Sequence, residues 1–110
     1  MNKIETKITF KEYQFSRVKP TSSKSAITYT DKAWVDETVS IIPMGLTVTD
    51  RLIETCYNNE KEQYELYVET DVIFKKTVRK GANVGRIHLP TDYIGLDVLI
   101  IKAPTIQNLY

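Results

Sequence analysis

Apolar and polar positions alternate over much of the chain. Ile4, Thr6, Ile8 and Phe10 interleave with Glu5, Lys7, Thr9 and Lys11, and Tyr64, Leu66 and Val68 interleave with Glu65, Tyr67 and Glu69. A two-residue period is that of a strand buried on one face, and the β-branched and aromatic content agrees. Two further strands, Thr38-Val39-Ser40-Ile41-Ile42 and Asp97-Val98-Leu99-Ile100-Ile101, are apolar almost without interruption, as strands central to a core would be. The run LIETCYNNEKEQYELY predicts two strands joined at Asn58-Asn59-Glu60-Lys61, because asparagine tolerates left-handed backbone angles. A helix over 50–66 is the rival: Asp50 would cap it, but the Asn-Asn pair argues against one continuous element. Short helical turns are expected at Thr30–Val35, where Thr or Asp caps the first turn, and at Pro90–Gly95, where Pro precedes and Gly follows. Each turn leads into one of the apolar strands, so the order strand, loop, strand, short helix, strand occurs twice.

The residues repeat weakly along with the elements. Setting Val18 against Val78 keeps Ile27 against Ile87. One extra residue in the first copy then matches Trp34 with Tyr93, Val35 with Ile94, Val39 with Val98 and Ile41-Ile42 with Ile100-Ile101. With four more residues inserted, IETKITFK at 4–11 matches VETDVIFK at 68–75. A unit of about 40 residues is too small to bury a core alone. Pairing of the two copies about a pseudo-two-fold axis, as in a homodimer, resolves this. The expectation is one domain: repeat one over about 4–43, a connecting hairpin over 44–67 and repeat two over about 68–104.

Composition narrows the function classes. The 110 residues are 42% apolar and 26% charged, which fits a single soluble domain. With 15 Lys and Arg against 14 Asp and Glu, the net charge of +1 excludes a general polyanion sponge, so any partner must be read locally. Residues 51–71 carry two basic and six acidic side chains, and residues 72–110 carry six against two. Lys75, Lys76, Arg79, Lys80 and Arg86 fall within twelve positions and would form a cationic stripe on a small sheet; the plainer reading is a strand edge guarded by lysines. The single cysteine, Cys56, excludes a disulfide framework and a Cys-rich zinc site and reads as a packing residue. His88 has no Cys or His partner to complete a metal site and reads as an exposed strand residue on the face of Arg86. Trp34 and Tyr93 read first as core anchors, with stacking on a base as the alternative. No phosphate-binding GxxxxGK[ST], HExxH or GxSxG motif occurs, so neither an enzyme nor a cofactor is expected. The opening MNKIETKITFKEY lacks an apolar stretch and no apolar run approaches the roughly 20 residues of a membrane helix, so a cytoplasmic protein with no membrane partner is expected.

The second copy, Val78-Arg79-Lys80-Gly81-Ala82-Asn83-Val84-Gly85-Arg86-Ile87-His88-Leu89-Pro90 followed by Asp92-Tyr93-Ile94-Gly95 and Val98-Leu99-Ile100, resembles the AbrB/MazE/SpoVT type of swapped-hairpin DNA-binding domain. It is most similar to a small archaeal group of transposon-encoded proteins with the pattern V-K-x-x-G-N-S-G-R-I-x-V-P-x-x-W-I-G-x-x-V. The first copy resembles that pattern in Val18-Lys19-Pro20, Ser25-Ala26-Ile27-Thr28-Tyr29 and Trp34-Val35, but it has Thr21, Ser23 and Ser25 in place of Gly81, Asn83 and Gly85, and Thr30 in place of Pro90. The resemblance covers 72–104 well, 4–43 weakly and 44–67 not at all.

The resemblance implies a mainly β protein with short helices: a swapped-hairpin β-barrel formed here by two intrachain repeats, a pseudo-dimer that is monomeric or dimerises further. It also implies a transcriptional regulator of a mobile element or archaeal virus, which binds double-stranded DNA through Arg79, Lys80, Arg86, Lys75, Lys76, Lys19 and Lys24. A fused and diverged pair would bind an asymmetric site or lose binding on one half. Read from the residues alone, Gly81 and Gly85 would supply unusual backbone angles and, with Asn83, let backbone N–H groups approach a phosphate. Arg86 would hold phosphate or a guanine edge, and Arg79 and Lys80 would act mainly through charge. The alternative is an antitoxin-like or inhibitory module on the same scaffold that binds a protein partner.

Overall fold

The computed structural model of the protein describes residues 4–21, 24–43, 53–70 and 73–108. Among them the chain forms β1 (Ile4–Phe10), β2 (Tyr13–Arg17), β3 (Lys19–Pro20), β4 (Ala26–Thr30), β5 (Thr38–Pro43), β6 (Tyr57–Asn58), β7 (Gln63–Thr70), β8 (Phe74–Thr77), β9 (Arg79–Lys80), β10 (Gly85–Leu89), β11 (Asp97–Lys102) and β12 (Thr105–Asn108). Single 3-10 turns at Lys32–Trp34 and Thr91–Tyr93 follow β4 and β10. Among the described residues no helix is long and apolar enough to cross a membrane.

The strands make three antiparallel sheets, ordered β12-β1-β7-β6, β3-β4-β10-β9 and β2-β11-β5-β8. All three are open, which corrects the expectation of a barrel. Among the described residues no edge strand pairs with an edge of another sheet: β3, β6 and β9 are only two residues long, and β2, β8 and β12 are paired on one side only.

The β2-β11-β5-β8 sheet is the middle layer. Val98 and Ile100 on β11, with Val39 and Ile41 on β5, pack with Ala26, Ile87 and Leu89 of the β3-β4-β10-β9 sheet. Leu99, Ile101 and Ile42 point the other way and pack with Ile8, Phe10 and Leu66 of the β12-β1-β7-β6 sheet. Burial on both faces is why the β5 and β11 sequences are apolar nearly throughout, whereas β1, covered on one face, alternates.

The central strands pair crosswise in sequence. Ile41 lies opposite Ile100 and Thr28 opposite Ile87, while β2 pairs with β11 and β8 with β5. One set of loop bonds is made twice: Val18 N–H donates to Leu96 O at 3.0 Å and Val18 O accepts from Gly95 N–H at 2.8 Å, while Val78 N–H donates to Glu37 O at 2.9 Å and Val78 O accepts from Asp36 N–H at 2.9 Å. The residues that end the two 3-10 turns share a left-handed backbone, φ 72° at Asp36 and φ 88° at Gly95. A Cβ at Gly95 would meet nothing within 4 Å, so the glycine is there for its angle and not for room.

Two expectations shift. Residues 4–11 fall on β1 and the turn after it, whereas 68–75 cross from the end of β7 into β8, so the two octets do not occupy matching strands. Alternation fixes which face a residue takes but not where its strand begins. The hairpin at 57–64 forms, with Tyr57 opposite Tyr64, but its left-handed residue is Glu62 (φ 54°) and not an asparagine. Asn58 serves instead through its side chain, whose Oδ1 accepts from the Glu60 and Lys61 N–H groups at 3.0 and 3.1 Å. The strand expected before it is reduced to Tyr57–Asn58, because Ile53 and Glu54 are helical and lead into a turn at 55–56 closed by Cys56 N–H on Ile53 O; the rival helix expected over 50–66 is met only at 53–54, its start at 50–52 lying outside the described residues.

Candidate functional site

The outward face of the β3-β4-β10-β9 sheet gathers part of the expected cationic set. On β10, Gly85, Ile87 and Leu89 are buried against the middle sheet, which turns Arg86 and His88 outward. On β4, Thr28 and Thr30 are buried and Tyr29 is 41% exposed. Directly paired residues share a face, so the register lines up Arg79, Arg86 and Tyr29 in one transverse row and Lys19, Ile27 and His88 in a second. Two residues of antiparallel strand separate the rows, roughly 7 Å. Ile27 lies at only 4% exposure and belongs to neither core cluster.

The four strands contain no Asp or Glu. Among the described residues, ion pairs are made by Lys7, Arg17 and Lys102, and none by Lys19, Arg79, Lys80 or Arg86. Among the described residues the Arg86 guanidinium makes a long hydrogen bond to Lys80 O at 3.5 Å and no ion pair. Cations spaced within a Debye length of about 8 Å act on an approaching polyanion together.

The other expected residues lie elsewhere. Lys80 pairs with inward-facing Gly85 and so leaves the sheet edge on the opposite side from Arg79. Lys75 and Lys76 lie opposite Ser40 and Val39 on the β8 edge of the middle sheet, and successive residues of a strand point to opposite faces. Lys75 lines a cleft with Ile73, Ala103, Pro104 and Ile106, away from the Arg79 row. The single stripe expected over 75–86 is therefore split among three directions. Lys24, exposed with φ 22°, precedes β4 at the Leu89 end of the sheet, whereas the loop Gly81–Val84 precedes β10 at the Thr30 end.

The glycine loop departs from its expected role. Neither Gly81 nor Gly85 has a left-handed backbone. Gly81 N–H is spent on Val84 O at 2.8 Å, which closes the turn and removes it as a phosphate donor. Gly85 is required for space: a Cβ there would overlap Thr30 Oγ1 and lie 2.5 Å from Val78 Cγ1. Asn83 is exposed in the turn. The turn between β3 and β4 is closed by Thr21 N–H on Ser25 O at 2.9 Å, one residue longer, with the Thr21 and Ser25 hydroxyls in contact.

Trp34 is buried in the core beside the middle sheet, with Lys102 Nζ 5.8 Å from its ring centre. Tyr93 packs against the same core and meets Phe74 edge-on at 5.3 Å, so neither ring is presented as a stacking platform. Sequence reasoning passed over Tyr29. Its alternation with Thr28 and Thr30 marks it as outward, but its place beside Arg86 depends on a pairing between distant segments. No family model, curated protein or solved structure matches this chain.

Proposed function

We propose that the chain binds double-stranded DNA as a single-chain pseudo-dimer of the swapped-hairpin type, laying the outward face of the β3-β4-β10-β9 sheet on the duplex. The observation that carries this reading is the outward face itself, where Lys19, Arg79 and Arg86 stand without a carboxylate in any of the four strands. Scale supports it as well. The major groove is about 12 Å wide and admits a two-stranded ribbon such as β4-β10. The flanking strands β3 and β9 are three strand spacings apart, roughly 14 Å, which suits Lys19 and Arg79 to the phosphates on either side.

The two-repeat reading rests on the crosswise pairing. It matches β2 with β8, β3 with β9, β4 with β10 and β5 with β11, and it accounts for the doubled loop bonds at Val18 and Val78. The matching that suits the register sets Thr28 with Ile87 and puts the extra residue of the first copy in the 21–25 turn, one position away from the match of Ile27 with Ile87. The resemblance of 72–104 to AbrB-type domains adds the role, regulation of transcription in a mobile element or archaeal virus.

The test is fluorescence anisotropy with mixed-sequence duplex from about 50 to 200 mM salt. Each phosphate neutralised contributes about −0.9 to the log-log slope. The wild type is expected to show a steep negative slope, flattened in the Lys19→Ala, Arg79→Ala, Arg86→Ala triple variant. No retention at any salt, with a protein partner co-purifying instead, would replace this reading with the protein-binding one, for which Tyr67, 57% exposed on the outward face of β7, offers a contact.

A further inference from the structure

The two rows of the DNA-facing sheet are not chemical equals. Under the pseudo-two-fold matching, Arg79 corresponds to Lys19, Arg86 to Ile27 and His88 to Tyr29. Both rows thus keep a cation on the flanking strand, suited to phosphate. Only one keeps a cation on the central ribbon, because Ile27 replaces the guanidinium of Arg86 and is 4% exposed. A buried isoleucine offers no donor to a base edge. Arg86 presents a planar fork that matches the O6 and N7 acceptors of guanine, and among the described residues its guanidinium is held by a long 3.5 Å bond to Lys80 O and by no carboxylate. His88 and Tyr29, the second outward pair on the ribbon, are single-point donors or acceptors at most.

We infer that the preferred target is a non-palindromic duplex read through one half: Arg86 selects a guanine on its side of the pseudo-axis, while the Lys19 and Ile27 side supplies phosphate attraction without base choice. This rests on the DNA-binding reading above. A homodimer with two identical rows would impose a palindrome; the Arg86 and Ile27 mismatch removes that constraint.

The experiment is selection from a randomised duplex pool at about 150 mM salt, with wild type, Arg86→Ala and His88→Ala, each checked for folding by thermal melting. Both replaced side chains are exposed, so the melting temperature is expected to hold. The wild type is expected to enrich an asymmetric consensus with a conserved guanine in one half. Arg86→Ala should lose that guanine and bind the wild-type consensus roughly 5- to 150-fold more weakly, and His88→Ala should keep the guanine. A palindromic consensus, or a guanine that survives Arg86→Ala, overturns the inference. Salt-sensitive retention of the pool without enrichment also overturns it while leaving DNA binding intact. No retention of the pool removes the DNA-binding reading and the inference with it.

Discussion

The β12-β1-β7-β6 and β3-β4-β10-β9 sheets cover opposite faces of one middle sheet, and their strands show the same alternation, yet they treat outward charge in opposite ways. On the first, Lys7 stands 3.4 Å from Glu65 and 5.8 Å from the ring centre of Tyr67. On the second, Lys19, Arg79 and Arg86 have no carboxylate to pair with. Alternation decides only that a side chain faces water. Whether its charge is cancelled depends on what the neighbouring strand places beside it, and that difference separates a merely solvated face from one able to attract an anion.

The strongest way to break this comparison is to damage the paired sheet and look for an effect on the other. Ile8 on β1 is fully buried in the core between the paired sheet and the middle sheet. Ile8→Ala is expected to cost about 2–5 kcal/mol of stability, read as the midpoint of a urea transition. DNA affinity of the folded protein, measured well below that midpoint, should stay within twofold on the order of experimental scatter. A matching loss of affinity would show that the basic face owes its competence to the distant sheet.

A smaller effect is expected inside the basic sheet. Gly85→Ala puts a methyl group against Thr30 Oγ1 and Val78 Cγ1, both buried side chains beneath the β4-β10 ribbon. Overpacking of this kind costs about 1–3 kcal/mol, and here the displaced strand also carries Arg86. Stability and DNA affinity should therefore fall together, unlike in Ile8→Ala. Pairing Gly85→Ala with Thr30→Ala or Thr30→Ser separates the clash from the glycine itself: relief by Thr30→Ala but not by Thr30→Ser, which keeps the hydroxyl, would identify Thr30 Oγ1 as the obstacle.

Much of the fold was legible in the residues. The alternation of β1 and β7, the two apolar runs of β5 and β11, the Asp31 cap on Ala33 N–H at 3.2 Å and the Pro90 and Gly95 brackets all mark real elements. Strand partners were not legible. Register between segments far apart in sequence is set by packing, and a one-residue shift leaves local patterning nearly as good. The same limit explains the site. Arg79, Arg86 and Lys19 could be named from charge, but Tyr29 joins them only through the β4-β10 ladder, and Lys75 and Lys76 leave them because neighbours on a strand diverge. Gly81 and Gly85 show a different limit, since a glycine demanded for space reads the same as one demanded for angle.

The least disruptive test addresses the paired side of the comparison. The Glu65 carboxyl is held below its ordinary range first by the Asn58 amide, whose Nδ2 donates to Oε1 at 2.9 Å, and then by the Lys7 ammonium, while partial burial pulls the other way. Lys7 is raised in turn, chiefly by the charge of Glu65. A carboxyl that binds its proton more weakly folded than unfolded stabilises the fold fully above the ordinary carboxylate pKa, and the gain is lost as pH falls through the depressed folded value. The Lys7 contribution has the opposite sign: present below the ordinary ammonium pKa, lost as pH rises through the raised one. Carboxyl-carbon NMR should therefore show Glu65 titrating below the ordinary glutamate range. Asn58→Asp keeps an acceptor for the Glu60 and Lys61 N–H groups but replaces the amide donor with a negative charge, so it should move that titration upward by more than Lys7→Ala does. The reverse order would make the ion pair, and not the amide, the principal hold on Glu65. In either case the salt dependence of DNA binding should match the wild type, because residues on the far sheet neutralise no phosphate and so release none of the counterions condensed on the duplex.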